Sequence, residues 1–214
     1  DLNIDYTVIM PVKNGERYIL ESLESIYLQT LLPAVVLVVD DASSDKGIEK
    51  AIKQYPKIHV IRNLGSGQNS ALNTGLRIVQ TPFVSFLDVD DLWTADKQKN
   101  QLQHFRENEN LEICCSGVTN FIEIGTHRKK RDFSNSKQLG ACTFRSEVFK
   151  NAEFEESGKF AIFDWWIQHG NSLNLVQTEQ IHLFRRIHDT NLWRQNKSEG
   201  ISEIMKTLRK KINE

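Results

Sequence analysis

Short continuous apolar runs alternate, through the first part of the chain, with stretches whose apolar residues recur at helical spacing. Residues 7–12 (TVIMPV), 34–39 (AVVLVV), 58–61 (IHVI) and 83–87 (FVSFL) read as strands. Between them, residues 15–29 place Tyr18, Ile19, Leu23, Ile26 and Tyr27 on one helical face. A short helix is expected over 45–54 behind the Ser43-Ser44-Asp45 cluster, and another over 68–79 after Gly65-Ser66-Gly67. Strands apolar on both faces and separated by helices predict a mostly parallel sheet covered on both sides, an α/β fold.

From residue 95 the pattern changes. A helix is expected to about residue 108, and shorter runs at 113–116, 118–124 and 140–144 point to a mixed, partly antiparallel half. Residues 163–170 look helical, 181–187 strand-like, and 199–212 helical, with Ile201, Ile204, Met205, Leu208 and Ile212 on one face. The mixed charges of that last segment favour packing on the body or a partner over membrane insertion.

Composition adds a few exclusions. The 214 residues are 39% hydrophobic and 26% charged, with a formal net charge of -1, which gives no electrostatic case for nucleic acid as a partner. The basic run His127-Arg128-Lys129-Lys130-Arg131 reads as a solvated hairpin or loop, with contact to anionic lipid or a phosphate as the minority reading. Cys114, Cys115 and Cys142 have no metal-ligand spacing. Buried free thiols are expected of the first two, and with them a reducing compartment. There is no run of 18 apolar residues and no signal-peptide pattern at Asp1, and a cytoplasmic protein, peripheral at most to the inner face of a membrane, is expected.

The chemistry concentrates where strands end. Pro11-Val12-Lys13-Asn14, Asp40-Asp41, Gly65-Ser66-Gly67 and Asp88-Val89-Asp90-Asp91 all fall at or after the carboxyl ends of predicted parallel strands, where such sheets bind ligands. In SFLDVDDLW the carboxylates of Asp88 and Asp90 share a direction only if the backbone stays extended, which leaves Asp91 as a hydrogen-bond acceptor behind them. A hard cation such as Mg²⁺ or Mn²⁺ would make their crowding tolerable. The plainer reading is a solvated turn in which Asp91 or Thr94 caps the next helix. Gly65-Ser66-Gly67 would cradle a phosphate at a helix N-terminus, or serve only as a turn. Asp40-Asp41 also permits the acidic pair of a phosphoacceptor receiver domain with Asp88 phosphorylated. Against that, the pair follows the second strand and the chain is too long.

Seven segments, in order, carry a resemblance: VIMPVKNGERYILESLESIYLQT, VVLVVDDASSD, GSGQNSALNTGL, FVSFLDVDDLW, GACTFRSEVF, FDWWIQ and FRRIHDTNLW. Over nearly its full length the chain resembles the family 2 glycosyltransferases with the GT-A fold. The resemblance implies a single domain, with a nucleotide-sugar half over about 1–94, an acceptor-side half over 95–197 and a C-terminal helix over 198–214. It implies inverting transfer from a nucleotide sugar, a UDP-sugar first, to a hydroxyl of a glycan, glycolipid or other acceptor, in surface polysaccharide or glycoconjugate synthesis. Pro11, Val12, Lys13, Asn14 and Glu16 would lie near the nucleoside, Asp41 would hold the base or ribose, and Gly67 and Asn73 would support the same pocket. Asp88, Val89 and Asp90 form the DxD element, with Asp90 the foremost ligand of Mn²⁺ or Mg²⁺. His188, of the His-x-x-Asn element with Asn191, would reach the metal or diphosphate.

Asp164 matches the family's catalytic base. A sugar hydroxyl is a poor nucleophile at neutral pH, so a carboxylate must take its proton while charge on the departing diphosphate is stabilised elsewhere. The plain alternative for Asp164 is a carboxylate at a helix start. Three positions depart from the family pattern: Phe163 where an acid often precedes the base, Leu72 where an Arg commonly precedes the Asn of Asn-x-Gly, and Lys13 in place of an aromatic. Trp165, Trp166 and Trp193 are candidate sugar-stacking platforms or buried packing. A sugar-phosphate nucleotidyltransferase and a catalytically silent nucleotide-sugar binder are the competing functions.

Overall fold

Strand β1 (Tyr6–Val12) is buried along its whole length and has a parallel neighbour on each side. Its side chains alternate between two cores, which is why the run shows no polar face. Tyr6, Val8, Met10 and Val12 join one cluster with Ile19, Leu23 and Ile26 of α1 (Ile19–Tyr27). Ile9 joins the other with Ala71 and Leu72 of α3 (Gln68–Leu76). A Cβ on Gly75 would stand 2.8 Å from Ile9 Cγ2, so the glycine of Asn-x-Gly lets α3 lie close on the sheet. The computed structural model describes residues 2–124, 127–157 and 161–188.

The remaining elements are β2 (Val35–Asp40), α2 (Gly47–Gln54), β3 (His59–Arg62), β4 (Phe83–Phe86), β5 (Leu92–Trp93), α4 (Lys97–Glu107), β6 (Ile113–Ile124), β7 (His127–Ser134), β8 (Cys142–Arg145), α5 (Ala161–Gln168) and β9 (Leu175–Arg186). Among the described residues they build one sheet in the order β3-β2-β1-β4-β8-β6-β9-β5, with β7 added on β6. The first four strands are parallel. The sheet turns mixed at β4–β8, which is antiparallel, as are β6–β8, β6–β7 and β5–β9, while β6–β9 is parallel. Helices cover both faces: Ala51 of α2 and Phe105 of α4 join the α1 core, and Trp165 and Trp166 of α5 join the α3 core.

Several expectations need correction. The runs at 113–116 and 118–124 are one strand, β6, because its partners shift register around Gly117 instead of ending there. β9 starts at Leu175, ahead of the expected 181, since its first half pairs with β6 despite being polar. The two-residue β5 escaped notice because it is too short to show a period. The basic run forms most of the exposed β7 hairpin strand, as the hairpin reading holds. Neither Asp91 nor Thr94 caps α4, whose N-cap position is Asp96, without a side-chain capping bond.

The cysteine expectation is also corrected. Cys114 is buried and free, but Cys115 and Cys142 are disulfide-bonded across the β6–β8 register. Their separation of 27 in sequence gives no hint of the pairing, which follows from strand register alone. Of the two readings of the tryptophans, buried packing describes Trp165 and Trp166. Trp165 (2% exposed) sits among Phe144, Phe149 and Phe154, Trp166 (9%) lies beside Phe144, and Trp165 Nε1 donates to Ala152 O at 2.7 Å. Trp193, Asn191 and the segment 199–212 lie outside the described residues. Among the described residues no helix is long and apolar enough to cross a membrane.

Candidate active site

Because β1, β2, β3 and β4 run parallel, the four polar clusters that follow them meet on one edge. Asp41 is the knot between three of them. Its carboxylate accepts from Lys13 Nζ (3.2 Å), from Asn63 Nδ2 (2.7 Å) and from the Gly67 backbone N–H (3.0 and 3.1 Å to its two oxygens). Burial would raise this carboxyl, but Asn63, Gly67 and Lys13 outweigh it and hold it below the usual carboxylate range. Asn63 is fixed in turn: its Oδ1 accepts from Ser70 Oγ at 3.1 Å and Thr74 Oγ1 at 3.0 Å. Asn63 escaped the sequence reading because a lone Asn after a strand carries no motif.

The phosphate-cradle reading of Gly65-Ser66-Gly67 loses one donor in this arrangement. Gly67, at φ +89°, occupies the N-cap of α3 and turns its N–H inward to Asp41, so that donor is already taken. Asn14 and Ala42 also have positive φ, 53° and 57°, on the same edge. Asn14 is locked there: its N–H donates to Ser43 Oγ at 3.0 Å and its Oδ1 accepts from Ser44 N at 2.8 Å. Local strain of this kind persists where surrounding bonds over-determine it.

Of the other residues expected near the nucleoside, Lys13 and Asn14 are exposed on this edge, while Pro11 and Val12 are buried, Val12 in the α1 core. Glu16 faces α2 instead. Its carboxylate pairs with Lys50 at 2.7 Å, and the Lys50 and Lys46 bonds lower its pKa. Leu72 is core, 1% exposed, so no side chain reaches the site from that position.

The acidic triplet is not extended as the shared-direction argument required. The chain turns at Val89-Asp90, and Asp91 N donates to Asp88 O at 3.1 Å. The turn still brings ligand atoms of Asp88, Asp90 and Asp91 within 4.8 Å of one another. Gln68 Nε2 donates to Asp88 Oδ1 at 2.8 Å, tying the triplet to the start of α3. A Cβ on Gly15 would meet Val89 Cγ2 at 2.6 Å, so the loop after β1 lies directly against this turn.

Desolvation by the surrounding protein, and then Asp90, push Asp88 up to about 6, although the residue is exposed to solvent. Asp91, 5% exposed, is raised well above the carboxylate range by burial and then by Asp90 and Asp88. His188 closes the cluster: its Nε2 lies 2.8 Å from Asp90 Oδ2, and its ring sits 5.2 Å from that of Tyr18. Three carboxylates and an imidazole form a donor set dominated by hard oxygen, which suits Mg²⁺ or Mn²⁺.

Beneath the triplet lies a buried arginine that the sequence reading passed over. Arg186 is 1% exposed at the end of β9, and it contacts the main chain of Asp90 and the side chain of Asp91. The available signal was a pair of charged residues, Arg185 and Arg186, between Phe184 and Ile187 in an otherwise strand-like run.

Asp164 lines a cavity to which none of the triplet residues contributes. It lies in the first turn of α5, and this cavity of about 420 Å³ is also lined by Asn73, Arg77, Glu153, Phe154, Glu156 and Trp165. Asn73 is fully buried, and its side chain is spent on holding this wall, donating to Phe154 O at 2.8 Å and accepting from Phe154 N at 3.0 Å. Phe163, beside Asp164, is 38% exposed.

Comparison with known proteins agrees with this geometry. GgaB of Bacillus subtilis (strain 168), a minor teichoic acid biosynthesis protein, is 31% identical over 179 residues, which cover 73% of this chain and 20% of GgaB. S. aureus TarS 1-349, solved in complex with UDP-GlcNAc, superposes with a TM-score of 0.72 at 18% identity, over 87% of this chain and 60% of that one. The mannosyltransferase PcManGT from Pyrobaculum calidifontis, solved with GDP-Man and Mn²⁺, gives 0.74 at 17% identity, over 98% of this chain and 64% of that one. The GT-A fold expected from the motifs is the fold of this chain. The profile of glycosyl transferase family 2 matches residues 7–165, and the chain belongs to that family.

Proposed function

We propose that the chain is the catalytic unit of a metal-dependent, inverting glycosyltransferase that moves a sugar from a nucleoside diphosphate sugar to an acceptor hydroxyl. The observation that carries this reading is the convergence of Asp88, Asp90 and Asp91 within 4.8 Å at the end of β4, with His188 on Asp90. Asp88, Asp90 and His188 would hold a divalent cation there, which would supply neutralisation of charge on the diphosphate leaving group. UDP-sugars are the first donors to test, since TarS was solved with UDP-GlcNAc, and GDP-mannose follows from PcManGT. The kinship with GgaB supports a cell-surface polymer or its lipid-linked precursor as acceptor. Exposed Lys129 and Lys130 of β7 are suited to light contact with an anionic membrane surface.

In this reading Asp41, Lys13 and Asn14 hold the nucleoside, and the cavity at Asp164 receives the reacting groups. Asp164 takes the proton of the acceptor hydroxyl as that oxygen attacks the anomeric carbon. The bond from the anomeric carbon to the phosphate oxygen breaks on the opposite face, the nucleoside diphosphate departs with the electron pair, and configuration inverts. Phe163 favours a second reading, a nucleotide-sugar binder without turnover, because it stands where an acid often precedes the base.

Hydrolysis of a panel of nucleotide sugars with Mn²⁺, together with their binding, separates the two. Turnover of one donor that is lost in Asp90→Ala and in Asp164→Asn supports the transferase. Binding without turnover supports the silent protein, and neither binding nor turnover removes both. Full transferase activity in Asp164→Asn would take the base role from that residue and leave the rest standing.

A further inference from the structure

We infer that Arg186 is a positioning residue, a buried guanidinium that holds the Asp90-Asp91 peptide so that their carboxylates converge on one cation. The inference rests on the cation-binding reading proposed above.

Three carboxylates on four consecutive residues repel one another, and a free turn would relax by spreading them. Something must hold the backbone. Arg186 touches the turn twice: its Nε–H donates to Asp90 O at 2.9 Å, and its backbone N–H donates to Asp91 Oδ1 at 2.9 Å. From α1, the Ser22 hydroxyl lies 2.7 Å from Val89 O and 2.8 Å from Asp91 O, sharing its proton between them. The turn is thus gripped by a helix and a strand.

The rest of the guanidinium explains why the residue is an arginine. One terminal nitrogen donates to Glu21 at 2.7 Å and the other to Glu123, while the rings of Tyr18 and Phe121 each lie 4.7 Å from its central carbon. Glu21 and Glu123 meet the positive charge, and Arg186 reaches Asp90 through a main-chain carbonyl. A planar fork pinned at both tips points its Nε–H in one direction only, which a lysine ammonium cannot do. If Arg186 served only to staple β9 to α1 and β6, its replacement would change stability and leave the cation site as it was.

The test is Mn²⁺ titrated calorimetrically into the full chain with UDP present. Arg186→Lys keeps the charge and removes the fork. It is expected to weaken Mn²⁺ binding by about 10–100-fold, the usual effect of losing a group that orients a metal ligand. Donor turnover in Arg186→Lys should recover as Mn²⁺ is raised. Wild-type Mn²⁺ affinity in a folded Arg186→Lys protein overturns the inference, whatever its melting temperature. Should Arg186→Lys not fold, Glu21→Gln releases one tip of the fork from a surface-accessible partner. Mn²⁺ binding weakened at least tenfold there supports the inference, and unchanged binding overturns it. Absence of Mn²⁺ binding in the wild type is a different result, because it removes the cation reading together with the role built on it.

Discussion

The imidazole of His188 and the carboxylate of Asp90 stand 2.8 Å apart although 98 positions separate them in the chain. The contact joins the residues after β9 to the turn after β4. If both groups address the same cation, His188→Ala should weaken Mn²⁺ binding in the presence of UDP at least about tenfold. Calorimetric titration of the variant decides it. Unchanged affinity would reduce His188 to a packing partner of Tyr18.

Asp41 gathers Lys13, Asn63 and Gly67 on one carboxylate, so Asp41→Asn should disturb both stability and nucleotide binding. Two donors would face an amide that can satisfy them only in part, at a cost of about 1–3 kcal/mol in urea unfolding. The sign with pH is fixed by the lowered pKa of Asp41. Its stabilisation is present above the unfolded carboxylate pKa and is lost as pH falls through the lower folded value. Acidification should therefore destabilise the wild type more than Asp41→Asn.

Lys97 gives a slope of the same sign in another window. It is fully buried, with Nζ donating to Gln101 Oε1 at 2.8 Å and lying 4.3 Å from the centre of the Trp93 ring. Burial lowers its pKa from 10.5 to about 7. Between those values the unfolded chain binds the extra proton, so this residue makes stability rise with pH from about 7 to 10.5. His182 and Cys114 share the region: burial pushes His182 down to about 4, below that window, and Cys114 from 9.0 up to about 12, so Cys114 opposes the rise only above pH 9.0. Unfolding curves across pH 7 to 10 should show the rise in the wild type and a flatter profile in Lys97→Met.

The Cys115–Cys142 bond closes a loop of 27 residues, and chain entropy assigns such a closure about 3–4 kcal/mol. Oxidised wild type should exceed Cys115→Ala in denaturant stability by an amount of that order, and reduction should bring the two together. Equal stability before reduction would show that β6 and β8 need no covalent help.

These residues also mark what a single sequence makes visible. β1, β2 and β4 were legible because strands buried on both faces write continuous apolar runs, and the polar clusters after them were legible because parallel strands end on one edge. Cross-strand facts were not. The Cys115–Cys142 bond and the grip of Arg186 on Asp90 depend on register between distant strands, and no local period encodes that. Trp165 and Trp166 illustrate the limit differently, since an aromatic at a ligand cavity and an aromatic in a core look identical until their neighbours are known. Glu16 and Asn73 matched family positions, yet their side chains are committed to α2 and to the Phe154 main chain.

Helix α3 begins at the Gly67 amide that Asp41 holds and carries, six residues on, the Asn73 side chain that pins Phe154 at the Asp164 cavity. At a rise of about 1.5 Å per residue the two attachments stand about 9 Å apart along the axis. The helix is therefore a ruler. In the reading proposed above, the spacing between the nucleoside end and the reacting end is written in helical geometry, not in loops that could adjust to a longer or shorter donor. Changing that spacing would take an insertion within α3, and such an insertion would rotate Asn73 off Phe154 before it lengthened anything.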